Sequence, residues 1–382
     1  MAAIALVGLS ARPAAAFHKQ SPTIIALTLG GDTDLPRLPS QGRRAIALAL
    51  GDEGQTQIVR LLPFKTGPLA TILEGIGNNG HPSTALNGRS FAWHSDADPF
   101  AHGTPGTQVF LNVKGELVQA AIDPSGTSRN PSLGKRGRLV AFESEGNLAA
   151  GGNAGARQIF LRDRDGFLLQ VSSGVGTSSN PMLSAKHRRI CYQSTSDPST
   201  GADTGINQVF VGRLDDLPPQ RITDGASDST DPVLSDDGRV LAFQSTADLA
   251  GDGSDTGIPQ IFIYDAPTET YAQITDDATG CTRPAIAKIR RDYRVTFVCD
   301  GSAYFFMLRA NQRYHVLTTG GTTQTIFPEM GTHFVMVSTT ANLMLGGTTT
   351  GYRLYMLNLF KRPATPVFGA RVWFPSQGLS DL

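Results

Sequence analysis

The sequence predicts an all-β protein, a β-propeller of four-stranded antiparallel blades, and three observations carry that reading. Pro82, Pro131, Pro181, Pro232 and Pro284 recur about every fifty residues, the period of a unit that must stack on its own copies to bury its faces. All but the last open one phrase, most complete as Asp231-Pro232-Val-Leu-Ser-Asp-Asp-Gly238-Arg239-Val-Leu-Ala242-Phe243-Gln-Ser245. Between the copies run short β-branched and aromatic stretches bounded by Gly and Asp turns, the pattern of strands rather than helices. With its degraded copies the unit occurs seven times, and six blades with an N-terminal extension is the alternative.

In chain order, residues 1–16 read as an export signal. A small apolar run from Ala2 to Leu9 precedes Ala14-Ala15-Ala16, an Ala-x-Ala type of cleavage site, although no Lys or Arg precedes Arg12. Residues 17–35 form an extension in which Ile24 to Leu29 is one candidate for the strand that closes the ring; Pro366 to Phe368 is the other. The propeller is expected over 36–372, followed by a tail at 373–382. Its first unit is the weakest, with Pro39, Arg44 to Leu50 and Gln57-Ile58-Val59. In the Asp231 unit, Pro-Val-Leu-Ser suits a first strand because Pro is tolerated at a strand start or edge. Ser235-Asp236-Asp237-Gly238 is a hairpin turn, with Gly supplying a positive φ. Val240 to Phe243, Gln260 to Tyr264 and Tyr271 to Thr275 then make the second, third and fourth strands. The same frame fits Pro82, Pro131 and Pro181, and in degraded form Pro284 and Pro328.

Composition narrows the function. The chain carries 33 basic and 33 acidic residues, so no electrostatic footprint points to nucleic acid or an anionic membrane surface. No apolar run approaches the roughly 20 residues that span a bilayer. A soluble monomer in the periplasm or outside the cell is expected, and no cofactor is implied.

The recurring polar residues read first as structure. A Ser ends each second strand at Ser95, Ser144, Ser194, Ser245 and Ser338, and Ser128, Ser178 and Ser229 lie sixteen residues before three of them. Positions equidistant from a hairpin turn face each other across the ladder, so these serines are opposed pairs that hydrogen-bond turn backbone. A catalytic serine needs an adjacent base and would not be copied from blade to blade; no Gly-x-Ser-x-Gly elbow occurs, and no catalytic residue is assigned. In the Pro284 unit the pair becomes Cys281 and Cys299. Cysteines facing across a ladder reach disulfide distance, and an exported chain lives where such a bond persists. Cys191 reads as a buried thiol.

Candidate binding residues fall on one face, where long loops join second to third strands and where the connections between units emerge. The residue before each repeat Pro is expected at the rim of the channel, as His81, Asn130, Asn180, Asp231 and Arg283. Asn and Asp also simply shape the turn before Pro. The longest loop adds Asp248, Asp252 and Asp255. His81, His94 and His102 belong to one unit and are the metal-like constellation of the chain, without any tight His-x-x-x-His spacing.

The phrase Pro-x-x-Ser-x-Asp-Gly-Arg-x-x-Ala-Phe-x-Ser, which the Asp231 unit matches almost throughout, resembles the TolB-type propeller repeat over about Leu38 to Phe368. The resemblance implies an extracytoplasmic propeller that often serves in protein binding. It does not extend to the α/β domain that precedes the propeller of TolB. The reading is therefore a non-enzymatic scaffold that binds a protein, peptide or glycan through its loop-rich face or channel mouth. The alternative is a metal-assisted lyase or hydrolase at that mouth.

Overall fold

The computed structural model describes residues 77–318 apart from 86–87, 135–136, 150–154, 185, 187, 250–256 and 310, together with the strands between 23 and 73 and between 326 and 358. These residues form seven four-stranded antiparallel sheets. Sheets I to VI are each built from four consecutive strands, at 33–73, 79–119, 129–170, 178–221, 229–273 and 281–318. Sheet VII takes three strands from 326–358 and its fourth, Thr23–Ala26, from the other end of the chain. Ile24 and Ile25 pair with Leu357 and Met356, so the N-terminal run supplies the closing strand; Pro366 to Phe368 lie outside the described residues. First strands of successive sheets touch one another in order, and Thr33–Arg37 of sheet I touches Ile326–Met330 of sheet VII. The first strands therefore surround the axis of a ring.

The apolar residues that form the strands do not make a core within any sheet. Val209, Val211 and Cys191 of sheet IV pack with Leu234, Leu241, Phe243 and Phe262 of sheet V. Sheets II and III meet through Ala92, Val109, Leu111, Leu133, Val140, Phe142 and Phe160. Sheets III and IV, V and VI, and I and II share clusters of the same kind. One aromatic pair recurs at the centre of each sheet from II to VI, between facing residues of the second and third strands: Trp93 and Phe110, Phe142 and Phe160, Tyr192 and Phe210, Phe243 and Phe262, Phe297 and Tyr304. Their ring centroids lie 5.1 to 6.0 Å apart, the separation at which offset rings attract beyond their burial. These pairs explain why each unit repeats an aromatic residue in both of those strands.

The hairpin glycine of the phrase has a second duty. Gly238 has a φ of 64°, and a Cβ there would approach Ser184 of the preceding sheet to 3.0 Å. Gly137 repeats this against Ser90 at 2.9 Å. Positive φ and close approach both favour a residue without a side chain, so this glycine sets the distance between blades as well as the turn.

The repeat proline sits in a bulge. In sheets II to VI the register of the first strand slips across the residue before Pro and the Pro itself, at Pro82, Pro131, Pro181, Pro232 and Pro284. A bulge leaves a residue out of the ladder, which suits one that has no N–H to give. In sheet I the slip falls between Asp34 and Arg37 and so spans Pro36; Pro39, which the sequence frame selects, lies outside the described residues.

The expected serine pairing is seen directly. Ser178 and Ser194 face each other with Oγ atoms 2.9 Å apart, and so do Ser229 and Ser245. Cys281 and Cys299 hold the same facing positions in sheet VI, buried, and are joined by a disulfide. Cys191 is buried and free, and burial raises its thiol well above its ordinary range. A bond enclosing a loop of 18 residues contributes about 3 kcal/mol by the chain-entropy model. Reduction, or a C281S/C299S double variant, is expected to lower unfolding stability by about that amount, with alkylation and mass spectrometry verifying the redox state. An oxidised protein in which both thiols alkylate without reductant would refute the bond.

Candidate functional site

Each first strand has a ladder partner on one side only, so its other edge turns N–H groups towards the axis and the neighbouring sheet. Side chains of the preceding sheet meet them. The backbone N–H of Asn130 donates to His94 Nδ1 at 3.3 Å, that of Asn180 to Glu143 Oε2 at 3.2 Å, that of Asp231 to Gln193 Oε1 at 2.9 Å and that of Arg283 to Gln244 Oε1 at 3.1 Å. The acceptors occupy one equivalent position, the residue before the serine that ends the second strand. A parallel set lies further along the same strands: Leu133 donates to Ser83 Oγ at 2.9 Å and Leu183 to Ser132 Oγ at 2.8 Å.

These four donors and His81 are the residues before the repeat prolines, and all five have a left-handed backbone, with φ of 43° at His81, 49° at Asn130, 52° at Asn180, 51° at Asp231 and 59° at Arg283. Asn, Asp and His adopt this conformation more readily than other residues with a side chain; Arg does so rarely. The bulge imposes it. Their side chains then continue the chain of contacts, since Asn130 Nδ2 donates to Glu143 Oε1, and Asn180 Nδ2 donates both to Gln193 Oε1 at 3.1 Å and to Asp231 Oδ1 at 3.0 Å. The turn-shaping role of these residues and their place on the ring axis are two consequences of one bulge.

Three groups of the collar have shifted pKa values. Glu143 is 1% exposed; burial raises its pKa against the opposing pull of Arg157, the Asn180 N–H, Arg129 and Asn130. Burial likewise raises Asp231, although Arg283 and Asn180 favour its charged form. His94 is lowered to about 4 by burial and by the charge of Arg129, with Asp96 acting in the opposite sense. It is therefore a neutral acceptor at physiological pH, as its bond from Asn130 requires. Sequence reasoning reached the donors and missed the acceptors Glu143, Gln193 and Gln244. A signal was present, since a long polar residue breaks an apolar strand at the same place in four units.

The three histidines do not come together. His81 and His94 have ring centroids 5.2 Å apart, whereas His102 stacks on Phe100 and its Nδ1 lies 2.9 Å from Gln119 Oε1 on the outer strand. Asp96 and Asp98 accept backbone N–H groups of Asn78, His102 and Gly103. Among the described residues, the one group of three side chains with metal-ligand spacing is Asp277, Cys281 and Cys299, and the disulfide occupies both sulfurs. Asp248 lies at the described edge of its loop; Asp252 and Asp255 lie outside the described residues.

The remaining repeated polar residues are clamps. Gln108, Gln158 and Gln260, which open their third strands, and Gln208, within the third strand of sheet IV, donate to carbonyls of the connection to the next sheet, at Asp123, Gly174, Gly225 and Asp277, over 2.7 to 3.0 Å. Burial works against the charge of Asp123, yet hydroxyl donors from Ser125, Ser128 and Ser144 and the Ser125 N–H hold its carboxyl below the usual range. These bonds tie each third strand to the connection that leaves its sheet.

No protein-family model and no curated protein matches this sequence. Solved structures do share the architecture. An oligogalacturonate lyase in complex with manganese superposes with a TM-score of 0.59 at 11% identity, over 89% of this chain and 98% of that one. The chain folds as a β-propeller. Oligogalacturonate lyase from Vibrio parahaemolyticus gives 0.58 at 10% identity, over 88% and 94%. TolB from Acinetobacter baumannii gives 0.40 at 13% identity, over 86% of this chain and 64% of that one. At these identities the likeness concerns the fold alone, and no helix among the described residues is long and apolar enough to cross a membrane.

The depressed pKa of His94 has a measurable consequence. A histidine that resists protonation when folded stabilises the fold above its ordinary pKa, and that stability is lost as pH falls from about 6.5 towards 4. The loss is on the order of 3 kcal/mol. His94→Gln keeps an acceptor for Asn130, as Gln193 and Gln244 do in the next sheets, and is expected to flatten this part of the pH profile of urea unfolding. An equally steep profile would remove His94 as its source. For Glu143 the sign is opposite: its raised pKa favours the fold at low pH and the benefit fades as pH rises. Glu143→Gln is therefore expected to gain stability relative to wild type at pH 7 and not at pH 4.

Proposed function

We propose that this protein is an exported, non-enzymatic propeller scaffold that binds a protein or peptide partner at the mouth of its ring axis. The observation that carries the reading is the collar itself. Nine residues, His81, His94, Asn130, Glu143, Asn180, Gln193, Asp231, Gln244 and Arg283, converge from successive sheets at the end from which the long loops emerge. A rigid scaffold that presents variable loops around a polar centre is a common binding arrangement. The serines and glutamines that might otherwise suggest chemistry are engaged in bonds within the scaffold. An extracytoplasmic location agrees with the disulfide and with the apolar run at the N-terminus. A glycan partner fits the same surface.

The alternative, a metal-assisted lyase or hydrolase, is supported by the proximity of His81 and His94. It needs ligands other than His102, and it would draw on the buried carboxyls of Glu143 and Asp231. The two readings separate in one experiment. Affinity capture from the extracytoplasmic fraction is expected to retain a partner with wild type and to lose it when the loop from Asp248 to Thr256 is shortened, with binding weakened by salt. Capture indifferent to that loop would move the surface elsewhere, and metal-dependent cleavage of a polysaccharide by the purified protein would establish the enzyme instead.

A further inference from the structure

The net charge of zero is the sum of two unlike faces. In sheets II to VI the first and second strands, and the third and fourth, are joined by short hairpins at the end opposite the long loops. The hairpins between first and second strands encircle the axis there, because first strands are innermost. The phrase puts an arginine after the hairpin glycine, as Arg89, Arg138 and Arg239, and Arg188 holds the same place in sheet IV. Departures from the phrase add more cations: Lys186 stands where sheet V has Asp237, and the hairpin of sheet VI holds Arg290 and Arg291. The loop-rich face is acidic by contrast, with Asp96, Asp197, Asp228, Asp248, Asp276 and Asp300 in its loops and turns, and its cations Arg129, Arg157 and Arg221 are each paired with a carboxylate. An even total charge reads as no electrostatic footprint, but a partner meets one face at a time.

The carboxylates near this ring of cations are held by the fold. Asp237 accepts from Lys288 Nζ and from Tyr293 Oη at 2.8 Å, and Ser235 Oγ donates to its other oxygen at 2.8 Å. Asp292 Oδ1 accepts the backbone N–H groups of Tyr293 and Arg309, each at 2.9 Å. Arg239 is itself engaged, with Nε 3.1 Å from Asp265 Oδ1. Arg138, Lys186, Arg188, Arg290 and Arg291 are exposed, and the salt bridges among the described residues of this face join Arg213, Arg239 and Lys288 instead. The charge of Arg188 reaches Asp215, but Arg213 donates to both oxygens of that carboxylate, at 3.0 and 2.9 Å. The outer hairpins, between third and fourth strands, carry carboxylates and cations together. The positive charge is therefore concentrated around the axis.

A second observation on the same face says what the charge meets. Phe167, at the end of the outer hairpin of sheet III, is 66% exposed. Asp163 Oδ1 accepts the backbone N–H groups of Asp165 and Phe167, each at 2.9 Å, so the turn is fixed and the ring is held out, with exposed Arg164 in the same turn. We propose that the hairpin face docks on an anionic phospholipid surface, the cations around the axis meeting headgroup phosphates and Phe167 entering the interfacial layer. Clustered Lys and Arg are drawn to an anionic leaflet, and an aromatic side chain adds apolar burial at the headgroup boundary. A nucleic acid takes aromatic platforms beside its phosphate contacts, and the hairpins around the axis in sheets II to VI hold no Phe, Tyr or Trp. The proposal goes beyond the binding reading above and does not depend on it: docking by the hairpin face leaves the loop-rich mouth turned away from the lipid and open.

The test is co-sedimentation of the full chain with vesicles of phosphatidylcholine alone and of phosphatidylcholine mixed with phosphatidylglycerol. Binding is expected to the mixed vesicles only, and to weaken as salt is raised. R138Q/K186Q/R291Q is expected to lower partition to the mixed vesicles about a hundredfold, and Phe167→Ser about tenfold. All four side chains are exposed, and thermal melts verify that each variant folds. Shortening the loop from Asp248 to Thr256 is expected to leave vesicle binding unchanged, so failure here and failure of the mouth reading are told apart. The proposal is overturned if the mixed vesicles are not bound, if phosphatidylcholine alone binds equally, or if the triple variant binds as wild type does. Equal binding by F167S overturns the insertion of the ring. Self-association that the triple variant abolishes, without vesicle binding, would assign the face to a second copy of this chain, and tighter retention of duplex DNA than of mixed vesicles would assign it to nucleic acid; either overturns the lipid assignment.

Discussion

Among the described residues, the apolar side chains of one sheet are buried against those of the next. Each cluster of buried aliphatic and aromatic residues among the described residues draws from two adjacent sheets, so the unit of stability is the interface between blades. That constraint explains the need for closure. A terminal sheet with an uncovered face would expose its apolar residues to water, and Thr23–Ala26 completes sheet VII beside Thr348–Asn358. It also explains why the aromatic pairs recur with little variation. A ring of like wedges tolerates no blade of a different thickness.

The same stacking creates the polar centre. First strands crowd around the axis with one edge unpaired, and backbone donors there must find partners or lose hydrogen-bond energy on burial. The bulge at Pro131, Pro181, Pro232 and Pro284 turns one N–H out of the ladder and towards the preceding sheet, where a His, Glu or Gln side chain receives it. The collar is in this sense a structural necessity. Its chemical character nonetheless differs from sheet to sheet, with His94 held neutral and Glu143 and Asp231 held towards their protonated forms. Function has room to act where the identity of the acceptor, and not its presence, is left open.

Departures from the repeat are therefore more informative than the repeat. Sheet VI replaces a serine pair with a disulfide, and sheet III places Arg129 and Arg157 where sheets II, IV and V carry uncharged residues. Both keep the backbone arrangement of the blade. The serines and glutamines that recur are held by one another and by turn carbonyls, which is why their repetition signals architecture.

Much of the fold was legible because its period is written in residues with narrow conformational range. Proline marks the bulge, glycine the left-handed turn, and paired aromatic residues the middle of each blade. The facing serines and the cysteines that replace them follow from counting outward from a hairpin, which is local geometry. The first unit was read one proline too late, at Pro39, because the slip at Pro36 lies in a copy without the diagnostic phrase.

The site divides along the same line. The sequence by itself determined that polar residues recur before the prolines, because local backbone demands them there. Only the tertiary structure decided what those residues face: Asn180 meets Glu143, Gln193 and Asp231 across separations of 37, 13 and 51 residues, and His102 parts from His81 and His94 although all three share one blade. Contacts between blades depend on the curvature of the whole ring, and no window of sequence as long as one repeat contains that curvature.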